Sequence, residues 1–127
     1  MFTAFLKKVL WWCVPLVGWV FANISFLLPV RRLRETESLL AFHHPQPAYP
    51  FHVLLMPKRA IATLKDIHPA DGVFLSDLYA TVQSLVDEFH LSAYRLIVNG
   101  GDFQEFPHLH FHLISPAASV TSGETPA

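Results

Sequence analysis

The chain of 127 residues contains a single cysteine, Cys13, and few charged residues of either sign. One cysteine excludes a disulfide within the chain and any zinc site built from several cysteines. Nine basic and ten acidic residues give a formal net charge of −1 when the histidines are neutral. This balance provides no basic surface of the kind that nucleic acids require, so we expect no nucleic-acid partner. The length predicts one domain with a modest core.

Apolar sequence is in excess near the N-terminus. After a short tail (residues 1–8), residues 9–28 read VLWWCVPLVGWVFANISFLL and carry no charge. A helix of that length is about 30 Å long, which matches the hydrocarbon core of a bilayer. A cleaved signal peptide is the alternative, because Lys7 and Lys8 precede the run and residues 20–22 resemble a cleavage site. The run stays apolar beyond that site, which favours a transmembrane helix over 9–28.

Positive charge flanks this predicted helix on both sides. Lys7 and Lys8 precede it, whereas Arg31, Arg32 and Arg34 follow it. Because positive flanks tend to remain in the cytoplasm, the arginine side, and with it the domain, is expected there. We therefore predict a single-pass membrane protein. At the other end, residues 116–127 are small and polar and predict a disordered tail.

Strand and helix patterns fill the segment between these ends. Residues 38–43, 51–56 and 94–99 have the apolar and β-branched composition of strands. The uninterrupted apolar character of 51–56 indicates burial on both faces of a sheet. Residues 71–89 place apolar side chains at spacings of three and four, which predicts one amphipathic helix that serves as scaffold.

Three histidines alternate with large apolar residues in the segment 107–114, PHLHFHLI. If the segment is a strand, His108, His110 and His112 share one face, because successive side chains point to opposite faces. Three interpretations of this face are possible: a metal site, a nucleophilic site and a solvent-exposed polar surface. Alternate side chains on a strand are about 7 Å apart and can hardly converge on one ion. The row suits an extended phosphoester better, so no metal and no other cofactor is predicted.

The pattern His-φ-His-φ-His-φ-φ, where φ is apolar, resembles the signature of the histidine triad (HIT) nucleotide-binding family. Other segments resemble the family's first strand, nucleoside-binding hairpin and phosphate loop: residues 29–35, Phe42-His43, His52, Met56-Pro57-Lys58, Asn99-Gly100 and Gln104. The resemblance implies a HIT-like domain over residues 29–115. It also implies an α+β fold, with an antiparallel sheet of about five strands and one main helix, that forms a homodimer.

The family resemblance implies hydrolysis or transfer at the α-phosphorus of a nucleotide conjugate, such as a nucleoside phosphoramidate or a dinucleotide. His110 would be the nucleophile that forms a covalent nucleotidyl-histidine, His112 and His52 would bracket it, and His108 would hold the neighbouring backbone. The residues implied to contact substrate are Phe42, His43, His44, Asn99, Gln104 and Glu105. The alternative is a nucleotide-binding or regulatory module without turnover.

Three residues depart from the family pattern. His44 stands where an acidic residue usually holds the ribose, Phe103 where glycine is common, and Glu105 where serine or threonine is frequent. A carboxylate beside the phosphate would repel an anionic substrate. We therefore hypothesise that Glu105 favours nucleotides with a basic leaving group.

Overall fold

The computed structural model describes Lys8 and residues 32–116. The predicted transmembrane helix and residues 117–127 of the predicted tail lie outside these residues. Within the described part of the chain, no helix combines the length and apolar character needed to cross a bilayer.

Five strands form one antiparallel sheet, and one α-helix lies between the third and fourth strands in the sequence. The elements are β1 (Arg32–Glu35), β2 (Leu39–His43), β3 (Phe51–Pro57), α1 (Gly72–Glu88), β4 (Arg95–Val98) and β5 (Phe111–Ser115). Their order across the sheet is β1-β2-β3-β5-β4. The α+β fold with five strands and one main helix is therefore confirmed.

Helix α1 covers one face of the sheet. It begins and ends one residue inside the predicted range 71–89. Its buried apolar stripe is Phe74, Leu78, Val82 and Leu85, at spacings of four, four and three. The stripe packs against alternate residues of β2, β3 and β5, namely Leu39, Ala41, Phe51, Val53, Leu55, Phe111 and Leu113. This layer contains most of the buried apolar residues. Burial of each large apolar side chain contributes about 1.5–3 kcal/mol to stability.

The other face of the sheet carries a second buried cluster and the candidate site. The cluster consists of Leu40, Phe42, Leu54 and Met56. In the register of the sheet, Leu54 lies opposite Phe42 on one side and opposite His112 on the other. His112 therefore projects on the face away from α1. All seven residues of β3 are buried, as its continuous apolar sequence predicts.

The histidine segment is not one strand over its whole length, and that prediction is wrong. Strand β5 begins only at Phe111. The residues before it bond to the end of β3 and to the segment that follows: His108 Nε2–H donates to Pro57 O at 2.9 Å, and Leu109 N–H donates to Ile61 O at 2.8 Å. These bonds turn the chain away from the ladder, so a straight row of imidazoles does not form.

Two ion pairs tie the end of β3 to neighbouring elements. Lys58 Nζ lies 2.6 Å from Glu35 Oε2. The Arg59 guanidinium donates Nε–H and Nη2–H to the two carboxylate oxygens of Asp71, both at 2.7 Å. Asp71 also accepts the backbone N–H of His68 at 2.9 Å. Asp71 is the N-cap residue of α1. Its carboxylate therefore joins the end of β3 to the start of the helix.

Candidate active site

His108 supports the backbone of the site. Its side chain is 1% exposed, and Nε2–H donates to the carbonyl of Pro57. Burial lowers the pKa of this imidazole, although the hydrogen bond to Pro57 acts in the opposite direction. The ring is therefore a neutral, fixed support behind the residues that follow it.

His110 presents a ring nitrogen with a free electron pair. Its Nδ1 lies 2.7 Å from the carbonyl oxygen of His108. A carbonyl only accepts, so Nδ1 carries the proton and the neutral ring keeps its lone pair on Nε2. Burial lowers the pKa of His110, and the hydrogen bond to His108 O partly offsets this. The ring is then neutral at physiological pH, the state that a nucleophile needs.

His52 and His112 form a directed pair beside His110. Ala48 N–H donates to His52 Nδ1 at 3.1 Å, which places the proton of the neutral His52 ring on Nε2. That nitrogen lies 2.9 Å from His112 Nδ1 and donates to it. His112 in turn carries its own proton on Nε2. The centroids of the His110 and His112 rings are 5.1 Å apart.

Both members of the pair are held neutral. The pKa of His112 falls to about 4, chiefly through burial and further through the nearby rings of His110, His52 and His44. Burial also lowers the pKa of His52 to about 4, with a smaller contribution from His44. An unperturbed imidazole would titrate at 6.5. The arrangement therefore combines a nucleophilic lone pair with a neutral N–H donor at pH 7.

His44 brings a third ring to this pair. Its ring centroid lies 4.4 Å from that of His52 and 6.1 Å from that of His112. Gln46 N–H donates to His44 Nδ1 at 3.0 Å. Burial, followed by the proximity of His110, lowers the pKa of His44. One ring nitrogen from each of His44, His52 and His112 lies within 4.8 Å of the others, so these three residues could hold a metal ion.

The sequence predicts His44 as a substrate contact but not this convergence. The signal lies in the hairpin between β2 and β3, where His44 N–H donates to His52 O at 2.9 Å. Even-numbered residues of both strands share the face that also carries His112. If the alternation of side chains is followed along both predicted strands of this hairpin, and not along the histidine segment alone, the cluster can be predicted.

Two of the predicted substrate contacts, Phe42 and His43, lie on opposite faces of the sheet. Phe42 is 4% exposed and belongs to the apolar cluster on the face that also carries His112, where it lies opposite Leu54. His43 projects to the opposite face of the sheet, where its ring centroid is 6.4 Å from those of both Phe51 and Phe89. The alternation of strand β2 therefore separates His43 from its neighbour His44.

The loop between β4 and β5 contains the remaining predicted contacts. Asn99 is half-buried and Glu105 is exposed. Gln104 is buried, and its amide donates to Ala62 O at 2.8 Å and Phe106 O at 3.0 Å. Among the described residues, nothing donates to its buried Oε1. A phosphate oxygen requires a donor, so Gln104 supports the loop in this arrangement and offers a ligand only an acceptor.

Comparisons with known proteins agree on one family. The sequence profile of the HIT domain matches residues 28–118. Adenosine 5'-monophosphoramidase HNT1 of Saccharomyces cerevisiae is 37% identical over 98 residues, or 76% of this chain and 60% of its own length. The asymmetrical bis(5'-nucleosyl)-tetraphosphatase of Schizosaccharomyces pombe is 38% identical over 86 residues, or 63% of this chain and 46% of its own length. A HIT family hydrolase from Clostridium thermocellum superposes with a TM-score of 0.68 and 32% identity, which covers 84% of this chain and 94% of that structure.

Proposed function

The chain belongs to the HIT family, and from this premise we propose that it hydrolyses or transfers nucleotide conjugates through a covalent nucleotidyl-histidine on His110. The observation that carries the proposal is the fixed tautomer of His110. Its Nδ1–H is committed to the His108 carbonyl, which leaves Nε2 unprotonated beside His112. The proposed site thus has its nucleophile in the reactive form before substrate arrives.

In the first step, the Nε2 lone pair of His110 attacks the α-phosphorus. A phosphorus–nitrogen bond forms and the bond from phosphorus to the leaving group breaks. The leaving amine or phosphate takes up a proton from solvent, while His112 Nε2–H is placed to donate a hydrogen bond to the departing atom. His52 Nε2–H, hydrogen-bonded to His112 Nδ1, orients that ring, and both rings stay neutral.

In the second step, water attacks the phosphorus of the nucleotidyl-histidine. The attacking water gives its proton to solvent, His112 Nε2–H keeps its hydrogen bond to the phosphoryl group, and the phosphorus–nitrogen bond to His110 breaks. The products are a nucleoside monophosphate and the original neutral rings. The proton that the leaving group takes from solvent is returned when water attacks, so the two proposed steps balance without a metal.

The proposed substrates are nucleoside phosphoramidates or dinucleotides. The names of the yeast monophosphoramidase and the fission-yeast tetraphosphatase support these two classes. Both classes share an α-phosphorus with a leaving group opposite the nucleoside, which is the only feature that the proposed attack needs. Transfer to an acceptor other than water follows the same first step.

Covalent labelling tests this mechanism. We expect the protein incubated with adenosine phosphoramidate labelled at the α-phosphorus, then quenched, to carry label on His110. The His110→Ala variant should lose the label and at least a thousandfold in kcat, because removal of a nucleophile eliminates the covalent route. The matched control is His90→Asn, which removes an exposed imidazole beyond the end of α1. Full hydrolysis by His110→Ala would contradict the proposal.

A second candidate function is nucleotide binding without turnover. It is favoured by the loop, where both N–H donors of Gln104 are committed to backbone carbonyls and the acidic Glu105 is exposed nearby. Both candidates predict mononucleotide binding. Only the enzyme forms the labelled intermediate, so wild-type protein that binds adenosine monophosphate but never takes up label would establish the second candidate.

We also propose that the domain is anchored in a membrane by a helix over residues 9–28, faces the cytoplasm and forms a homodimer. The uncharged run and its flanking arginines support the anchor and its orientation. The dimer rests on the family resemblance. Light scattering of the detergent-solubilised protein, corrected for bound detergent, should give twice the chain mass of 14.4 kDa.

A further inference from the structure

We propose that His44, His52 and His112 bind one divalent transition-metal ion, such as Zn²⁺, and that this ion switches off the chemistry proposed for His110. The site differs from the sequence-predicted row of three histidines and shares only His112 with it. The inhibitory effect rests on the proposed function, whereas the binding itself does not.

The three ring nitrogens are already close to a ligand set. One ring nitrogen from each residue lies within 4.8 Å of the others, and His52 Nε2 is 2.9 Å from His112 Nδ1. A tetrahedral Zn²⁺ with bonds of 2.0–2.1 Å requires nitrogens about 3.3 Å apart. The distances between these nitrogens must therefore change by a few tenths of an ångström up to about 1.5 Å, which side-chain rotation can supply. The fourth position of the metal would be open to water or a phosphate oxygen.

The protonation state of the rings suits a metal. Metal binding requires neutral imidazole, which is the predominant form of an ordinary histidine at pH 7 and above. Imidazole nitrogens are preferred ligands of Zn²⁺, Co²⁺, Ni²⁺ and Cu²⁺, whereas Mg²⁺ and Ca²⁺ prefer oxygen. The chemical class of the ion is therefore a borderline transition metal.

Binding must rearrange the loop between β2 and β3. His44 Nδ1 and His52 Nδ1 accept the backbone N–H groups of Gln46 and Ala48. If the metal takes Nε2, the proton of that ring moves to Nδ1, which then no longer accepts. If the metal takes Nδ1, the backbone N–H loses its partner directly. Because residues 45–50 are exposed, both N–H groups can turn to water.

A bound ion would change the orientation of His112 in the proposed site. The His112 Nδ1 lone pair would bind the metal, so the hydrogen bond by which His52 orients this ring would be lost. His110 is not part of the cluster, but its proposed attack depends on the direction of the His112 Nε2–H donor, which the metal would turn away. Inhibition should therefore be complete at one equivalent and reversed by a chelator.

The test uses untagged, metal-depleted full chain in detergent, titrated with Co²⁺ and then Zn²⁺. We expect one Co²⁺ per chain, with the visible absorption bands of tetrahedral Co²⁺, and displacement of Co²⁺ by Zn²⁺. His44→Asn should weaken binding at least tenfold. His90→Asn, which removes an exposed imidazole outside the cluster, should bind like wild type.

The outcomes separate the two proposals. Lack of saturable binding, or equal binding by wild type and by a folded His44→Asn variant, would overturn the metal site whether or not the protein hydrolyses nucleotides. Binding at one equivalent that leaves adenosine phosphoramidate hydrolysis unchanged would overturn the inhibitory role. Binding by a protein that shows no hydrolysis under any condition would leave the metal site established and refute the proposed enzyme.

Discussion

The hydrogen-bond partners of individual imidazoles determine what each ring can do. His108 O accepts from His110, and Ala48 N–H donates to His52, so the two rings present opposite chemistry at Nε2. His110 offers a lone pair and His52 offers a proton. A sequence shows only that both residues are histidines. The difference between a ring that offers a lone pair and one that offers a proton arises from which backbone group each Nδ1 meets.

The lowered pKa values of His52 and His112 predict how activity depends on pH. Because the pKa values of His52 and His112 are about 4, both rings remain neutral well below the 6.5 of an ordinary imidazole. We expect kcat/KM to stay flat as pH falls from 7.5 to 6 and to decline only below about pH 5. Titration of the imidazole C–H signals by NMR should give midpoints near 4 for these two rings.

The lowered pKa values of His52 and His112 also predict how the free energy of unfolding depends on pH. Unfolded histidines take up protons near pH 6.5, before the folded rings do, so the free energy of unfolding should fall as pH decreases from 6.5 towards 4. Midpoints of His52 and His112 at or above 6.5 would contradict both expectations.

The carboxylate of Glu105 is expected to favour substrates with a basic leaving group. If this exposed carboxylate lies near the leaving group, a cationic amine gains about 1 kcal/mol at 4 Å in water, or about fivefold in kcat/KM. We expect adenosine phosphoramidates of lysine to be preferred over those of neutral amines by about that factor. Glu105→Gln, which keeps the size and removes the charge, and Glu105→Ser should both abolish the preference. Equal values for the two substrates with wild-type protein would dismiss the hypothesis.

At the scale of elements, alternation along strands separates scaffold from site. The odd-numbered residues of β2, β3 and β5 pack on α1, and the even-numbered residues form the face that carries the imidazoles. The helix and three of the strands were predictable, because their periodicity and composition are properties of the local sequence. The point where β5 begins was not, since it depends on bonds to Ile61 and Pro57, which are distant in sequence.

The Asp71–Arg59 pair gives a prediction about the junction between β3 and α1. The Arg59 guanidinium, followed by the backbone N–H of His68, lowers the pKa of Asp71 from 3.8 to about 2. Asp71→Asn should therefore reduce the free energy of unfolding by about 1–2 kcal/mol at pH 7, less than a fully buried pair because Arg59 is half-exposed. Urea denaturation measures the difference.

The pH dependence of that difference identifies its cause. The stabilisation should be fully present above the unfolded pKa near 3.8 and should be lost as pH falls towards 2. The matched control Asp87→Asn, on the exposed side of α1, should change stability by less than about 0.5 kcal/mol. A loss in Asp71→Asn that persists unchanged at pH 2 would exclude the ion pair as its source.

At the scale of the whole molecule, the proposed anchor predicts how the protein fractionates. Wild type should remain with membranes after an alkaline carbonate wash. A Leu16→Arg/Val17→Arg variant should appear in the soluble fraction, because each arginine at the centre of the helix costs about 2.5–3.5 kcal/mol of insertion free energy. Wild-type protein in the carbonate supernatant, or identical behaviour of the variant, would contradict the anchor.

The sequence by itself determined the family, the strand and helix order and the identity of the histidines. These features depend on residue type, local periodicity and spacing, all of which can be counted along the chain. Only the tertiary structure decided that His108 and His110 lie outside strand β5, and which ring nitrogen of His52 and His110 carries the proton. The first depends on hydrogen bonds to Pro57 and Ile61, which are far away in sequence. The second depends on which nearby backbone group each Nδ1 meets once the chain is folded, and residue type alone does not specify that group.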